Sequence, residues 1–308
     1  MRVGLIDADG HHFPNLALMR ISAWHKAQGH TVEWWAGDLF HYDRVYMSKI
    51  FSDTYSPDVP EPVNADEVIK GGTGYCISLG ADGKEHFDES KNVKLPPEME
   101  RMFPDYSIYP QYPFAVSMTS RGCPRGCSFC HVAAKEGRCS VKVADISDFW
   151  KPGMQTEIKV LDPNITACRE KRNLFTQYRE TGVWIDFTQG IDIRCTNDAD
   201  IADLNGMKVK QLHFAWDNPE DDLRDKFRSF AEQFRIKDHR RKLVYVLTNY
   251  NSTMEQNLYR VYWLRDNGYE PFIMVYNKPS SPREVRRLQR WCNNKWIFGK
   301  IRKFEDYN

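Results

Sequence analysis

Apolar residues near the N-terminus come in short runs broken by one long helical stretch. VGLI within 2–6 reads as a strand. Leu16, Met19, Ala23 and Ala27 recur at helical spacing and predict a helix over 14–28, with Gly29 placed to end it. Further strands are predicted over 31–35, over 43–51 by alternation, and over 67–69. The last is followed by the glycine turn GGTG, with Gly71, Gly72 and Gly74. Strand–helix–strand order with short turns predicts an α/β domain over 1–93, built on a doubly wound parallel sheet.

The pattern then changes. The segment 94–112 (KLPPEMERMFPDYSIYPQY) carries four prolines and reads as a linker. Beyond it, strand-like runs at 114–119, 157–161, 183–187, 211–215, 243–248 and 271–276 alternate with helical patterns. Those helices are predicted over 168–180, 198–204, 219–234, 253–267 and 282–292. This alternation predicts a second domain over 113–308. In a barrel of β/α repeats, reactive groups belong at the C-terminal ends of the strands.

Composition narrows the class. The chain has 308 residues, 41% hydrophobic and 28% charged, which describes a globular protein. No apolar run reaches the ~20 residues of a membrane helix. Asp7 and Asp9 interrupt the N-terminus early, so no signal peptide is expected. The eight cysteines do not form a disulfide framework, which points to a reducing cytoplasm. A net charge of +1 predicts no general attraction to nucleic acid.

The chemistry concentrates in TSRGCPRGCSFCHV, where Cys123, Cys127 and Cys130 are spaced Cys-x3-Cys-x2-Cys. For this cysteine content the chance count is on the order of 0.005, so the spacing is treated as a ligand set. Thiolates suit iron–sulfur clusters, and three of them leave one iron of a cubane open for chemistry. Gly122 and Gly126 allow close backbone approach to such a group. A four-thiolate zinc site that adds Cys139 is the structural alternative, although the second Cys-x2-Cys knuckle it needs is missing. His131 is a poor ligand because it adjoins Cys130.

At these residues the chain resembles the radical S-adenosylmethionine (radical SAM) superfamily. Phe129 fits the aromatic position before the third cysteine. SRGCP resembles the subgroup with a cobalamin-binding-like domain ahead of the core, as do the stretch FPNLALMRISAWHKAQGHTVEWW, the GGTG turn and the segment 104–110. The resemblance implies a partial (β/α)6 TIM-like barrel and a 4Fe–4S cluster on Cys123, Cys127 and Cys130. It also implies reductive cleavage of S-adenosylmethionine to a 5′-deoxyadenosyl radical for C–H activation. Cobalamin is a conditional cofactor, and methyl transfer follows if it binds. Of the motif Asp-x-His-x-x-Gly, Asp9 and His11 are present, but Pro14 takes the glycine position. Proline has no backbone donor and a fixed φ, so His11 is not expected to ligate cobalt.

The strand-end rule nominates further cofactor-binding residues. Asp162 and Asn164 follow the second strand, where the family places a Gly-Gly-Glu-like element that this chain lacks. Either Asp162 receives an ammonium group, or it opens a turn and caps the next helix. Gln189, Asp192 and Arg194 follow the third strand. Arg194 either binds a carboxylate or pairs with Asp192 across one strand face. Trp216, Tyr250 and Phe129 are candidate flat surfaces for adenine, with core packing as the alternative for each.

The C-terminal stretch carries Arg283, Arg286, Arg287, Arg290 and Lys295 near Trp291 and Trp296. It reads as a solvated amphipathic helix rather than a nucleic-acid surface. The expected partners are a substrate that the sequence does not name and an electron donor such as flavodoxin or ferredoxin. The competing functions are a non-enzymatic iron–sulfur protein for electron transfer or redox sensing, and a structural zinc module.

Overall fold

A computed structural model describes residues 1–10 and 13–307. His11, and with it the question of cobalt ligation, lies outside the described residues. The chain forms two compact units. One comprises Met1–Ser117, Arg125–Arg138 and Asp145–Gln155; the other comprises Met118–Pro124, Cys139–Ala144 and Thr156–Asn308.

The first unit is built on β1 (Arg2–Asp7), α1 (Leu16–Ala27), β2 (Thr31–Trp34), β3 (Arg44–Ser48) and β4 (Val68–Gly71). The strands are all parallel, in the order β2-β1-β3-β4. Direction therefore reverses at β1, as in doubly wound sheets. Asn15 starts α1 by accepting from the N–H groups of Ala17 (3.1 Å) and Leu18 (3.2 Å). Gly29 follows its C-terminus at φ +76°.

The alternation in β3 does not separate core from solvent. Tyr46 faces Val3, Leu5, Leu18, Ile21 and Met99, whereas Val45 and Met47 face Ile6 and Tyr42. Both faces are buried, one under α1 and the other under loops. The expected linker 94–112 lies against this unit and carries α2 (Pro97–Glu100). Its apolar residues Leu95, Met99 and Ile108 pack on the β1–α1 core. Ser22 donates to Asp105 at 2.7 Å, and the Tyr109 hydroxyl to Asp7 at 2.7 Å. Proline breaks long elements but does not prevent a segment from docking through its rings and methionines. Antiparallel β5 (Ile77–Leu79) and β6 (Glu85–Phe87), strand β7 (Ala115–Ser117) and α3 (Val132–Glu136) complete this unit. The first strand expected for the C-terminal domain thus falls within it.

The second unit opens on the short antiparallel pair β8 (Ser120–Arg121) and β9 (Val141–Lys142). Five β/α steps follow. These are β10 (Glu157–Val160), α4 (Lys171–Thr181), β11 (Trp184–Phe187), α5 (Asp198–Asn205), β12 (Lys208–Ala215), α6 (Arg224–Gln233), β13 (Lys242–Thr248), α7 (Met254–Asp266), β14 (Glu270–Val275) and α8 (Arg283–Asn293), ending in α9 (Lys295–Lys300). Strands β10 to β14 lie side by side in chain order, each parallel to the next. Phe175 and Tyr178 of α4 pack edge-on against Phe187, and Phe227 and Phe230 of α6 against Phe214. Among the described residues, no helix is long and apolar enough to cross a membrane.

One buried cation fixes the strand ends. Arg260 on α7 is 1% exposed. Its guanidinium donates to the carbonyls of Trp216 (2.6 Å), Asp217 (2.9 Å) and Leu247 (3.1 Å), and to Asn257 Oδ1 (2.7 Å). Burial lowers its pKa to about 10. The C-terminal ends of β12 and β13 are therefore held by a single side chain. Arg260→Leu strips these acceptors of their donor and is expected to cost more than about 2 kcal/mol, measured by urea denaturation. A cost below about 0.5 kcal/mol would show that the clamp contributes nothing.

Candidate functional site

The cysteine loop starts from a buried anchor. Asp162, just past the C-terminal end of β10, is completely buried. Its carboxylate accepts from the Thr119 N–H (2.8 Å) and hydroxyl (2.8 Å), and from the Ser120 N–H (2.5 Å) and hydroxyl (2.6 Å). Desolvation pushes its pKa up to about 6 against the pull of these four donors. Asp162 is thus neither an ammonium receptor nor a helix cap. It ties down the chain three residues before Cys123. The opposing wall is equally tight. Gly190 has φ +87°, and a Cβ there would lie 2.2 Å from the Asp162 carbonyl oxygen. Thr188 donates to Val160 O at 2.6 Å, and Gln189 to Leu161 O at 2.7 Å.

From that anchor the loop runs through Gly122 (φ +86°) and Gly126 (φ +56°), conformations that favour glycine. The N–H of Cys130 donates to the Cys127 carbonyl at 3.0 Å and closes a turn. Cys123 belongs to the second unit, Cys127 and Cys130 to the first. Cys123 and Cys127 are half-buried and Cys130 is exposed, whereas Cys76, Cys168 and Cys292 are buried. Burial pushes the thiol of Cys292 up to about 12 and raises those of Cys76 and Cys168. The buried three are inert packing groups. Cys139 is exposed and Cys195 half-buried as well, so it is spacing, and not accessibility alone, that sets Cys123, Cys127 and Cys130 apart. Among the described residues, no three His, Cys, Asp or Glu side chains converge to hold a single metal ion.

Asn164 supports this arrangement from within the second unit. It is buried and caps the 3₁₀ turn Ile165–Ala167, accepting from Ala167 N–H at 3.1 Å. Its amide donates to Cys123 Sγ at 3.5 Å and to Asp192 Oδ2 at 3.4 Å. It is a positioning residue behind Cys123 rather than an open cofactor contact. Asp192 and Arg194 do pair, at 2.8 Å, but not across a strand. They lie in a turn in which the Asp192 carbonyl accepts from the N–H groups of Cys195 and Thr196. Arg194 also reaches Asp221 at 3.1 Å. Burial opposes its charge, and the neighbouring carboxylates, Asp192 foremost, hold its pKa above the ordinary value. Its guanidinium is engaged by protein carboxylates.

Trp216 is 2% exposed, donates to Asp221 O at 2.8 Å and packs on Phe227 and Trp263. It is core, not an adenine shelf. Tyr250 is half-buried, edge-on to Tyr276 with ring centroids 4.9 Å apart. Phe129 is half-buried and Gln189 exposed. In the first unit, His131 stacks on Phe87 and lies 3.7 Å from Glu85. The basic C-terminus folds as an amphipathic helix. Val285, Leu288, Trp291 and Cys292 are buried, and Arg287 stands over Phe304 with 4.8 Å to the ring centroid. The sequence reading overlooked the Asp162 anchor and Arg260. Residue type carried no signal for either, because a buried aspartate or arginine is recognised by its partners.

No family model matches the chain, and no curated protein matches its sequence. Its fold is similar to a solved structure of the radical S-adenosylmethionine methyltransferase TsrM from Kitasatospora setae with cobalamin and a [4Fe–4S] cluster bound. That match has a TM-score of 0.60 and 10% identity, and covers 89% of this chain and 74% of that one. A second structure of TsrM, with tryptophan substrate and the SAM analogue aza-SAM, gives a TM-score of 0.47 and 12% identity, covering 96% and 71%. The likeness shows a shared α/β fold.

The anchor makes a pH prediction. The folded-state pKa of Asp162, about 6, lies above its ordinary value of 3.8, so folding favours the protonated acid. That contribution is fully present below pH about 4 and is lost as pH rises through about 6. The melting temperature of Asp162→Asn relative to the parent should therefore rise between those two values and level off above them. A difference that stays flat across the window contradicts the assignment.

Proposed function

We propose that this chain is a radical SAM enzyme whose Cys123, Cys127 and Cys130 hold a 4Fe–4S cluster. The observation that carries the reading is the accessible Cys-x3-Cys-x2-Cys loop, whose start at Thr119 and Ser120 is held by buried Asp162 just past the C-terminal end of a β/α strand. The donor set fits the group: three soft thiolates on a loop with glycines at positive φ, and no fourth protein ligand demanded by the spacing. When bound, the cluster and S-adenosylmethionine supply reductive cleavage of a sulfonium, and with it a carbon radical for C–H activation.

The chain's own residues perform the positioning. Asp162 fixes the start of the loop, and Asn164 holds Cys123 by its amide. Gly190 lets β11 close against β10 without a side chain between them. Of the residues expected to meet S-adenosylmethionine, Gln189, Arg194, Tyr250 and Phe129 keep accessible surface. A reductant of the flavodoxin or ferredoxin kind would deliver the electron.

Cobalamin fits less well. A histidine that ligates a metal usually gives its other N–H to a carboxylate. Asp9, the acid of the motif, accepts from the backbone N–H groups of Ile50 and Phe51, and Pro14 stands where the motif has glycine. No step is assigned to the first unit through that group.

Replacing Cys123, Cys127 and Cys130 together by Ala should abolish iron binding and leave the melting transition within a few degrees of the parent, because the loop is not core. The parent, reconstituted anaerobically, should form 5′-deoxyadenosine only with dithionite present. Iron retained in the triple variant would overturn the ligand assignment. Cluster binding without nucleoside formation would make the chain an electron carrier, and stoichiometric zinc in place of iron would make it a structural module.

A further inference from the structure

The second unit carries a polar row that the cysteine loop does not use. Lys159 sits between Ile158 and Val160, Asp186 between Ile185 and Phe187, His213 between Leu212 and Phe214, and Tyr245 between Val244 and Val246. Those flanking apolar residues are all buried. Because strand side chains alternate, the four polar residues share the face opposite the one on which α4 and α6 pack. Lys159 pairs in register with Asp186, and Tyr245 with Phe272. The row crosses four neighbouring strands.

Its contacts are specific. Lys159 reaches Asp186 Oδ2 at 2.5 Å and Glu157 at 3.3 Å. His213 donates from Nδ1 to the Phe187 carbonyl at 2.7 Å and stacks on Tyr245, with ring centroids 5.5 Å apart and planes 17° from parallel. Phe272 meets Tyr245 edge-on at 5.9 Å. Two carboxylate oxygens here are left without a hydrogen-bond partner among the described residues: Glu157 Oε1, which lies 3.3 Å from the Lys159 ammonium, and Asp186 Oδ1 within the row itself. Asp186 is 4% exposed, and its Oδ1 has no hydrogen-bond partner among the described residues. His213 Nδ1 is 3.8 Å from that oxygen, too far for a hydrogen bond, and its proton goes to Phe187. A buried carboxylate oxygen without a donor is costly and calls for an explanation.

Burial also lowers the pKa of His213, so its ring is neutral. With Nδ1 as the donor, Nε2 is an acceptor. Burial holds the Tyr245 phenol protonated by pushing its pKa up to about 12. The row therefore offers two acceptors, Asp186 Oδ1 and His213 Nε2, beside the aromatic surfaces of Tyr245 and Phe272.

We propose that this row is a substrate-binding floor for a small organic molecule that presents an N–H donor, an ammonium or a ring N–H, beside a flat apolar body. The inference deepens the radical SAM reading by naming a substrate class, but binding at the row can be measured without any radical chemistry.

The test uses defined probes by isothermal titration calorimetry, with the full chain both as purified and cluster-loaded. 2-Phenylethylamine tests the ammonium, and 3-phenylpropionate is its anionic counterpart. Benzimidazole tests a ring N–H, and 1-methylbenzimidazole lacks it. At least one donor-bearing probe should bind the parent, roughly tenfold or more tighter than its counterpart. Asp186→Asn should weaken that probe by about tenfold or more. So should His213→Asn, which can keep a donor toward Phe187 O but loses the Nε2 acceptor. If Asp186→Asn does not fold, His213→Asn carries the test. Absence of binding by both donor probes, equal binding of a probe and its counterpart, or unchanged affinity in a folded variant overturns the proposal. Probe binding that survives in a chain that loads no iron would separate failure of the radical reading from failure of this one.

Discussion

The site depends on one buried carboxylate. Asp162 gathers four donors from Thr119 and Ser120, and so fixes the chain three residues before Cys123. An ionised group without solvent is held only by such a complete set of donors. The packing around it leaves no slack, since Gly190 comes so close to the Asp162 carbonyl that a methyl group would collide. Asn164, two residues on, turns the same strand end into a support for Cys123. A loop meant to hold a reactive group must be fixed by what lies behind it, and here that support comes from the residues just after β10.

Much of this was legible in the sequence. The six strands expected after 112 all exist, as do the five helices between and after them, because each apolar run carried a clear period. The cysteine loop was legible from spacing alone. What the residues around it do was not. Asp162 and Trp216 were placed correctly at strand ends, but a strand end has a buried side and an open side, and sequence position does not distinguish them. The pairing of Asp192 with Arg194 was foreseen for the wrong reason: a turn, not a strand, brings them together. The segment 94–112 misled through its prolines, which mark irregular backbone and not separation from a core.

The polar row of the second unit had a signal that went unread. A single polar residue stands inside each apolar run: Lys159 in EIKV, Asp186 in WIDF, His213 in QLHFA and Tyr245 in LVYVL. On a sheet with helices against one face, such isolated residues must share the other face. Their joint appearance on four neighbouring strands is a pattern, whereas each one alone is unremarkable.

The central claim is that three thiolates hold a four-iron cluster with one iron left open. Mössbauer spectroscopy of the ⁵⁷Fe-reconstituted chain, before and after S-adenosylmethionine is added, tests it most directly. The account predicts that one iron site in four changes its isomer shift on addition while the other three do not. Four sites that remain unchanged, in a chain shown to hold a full cluster, would contradict it.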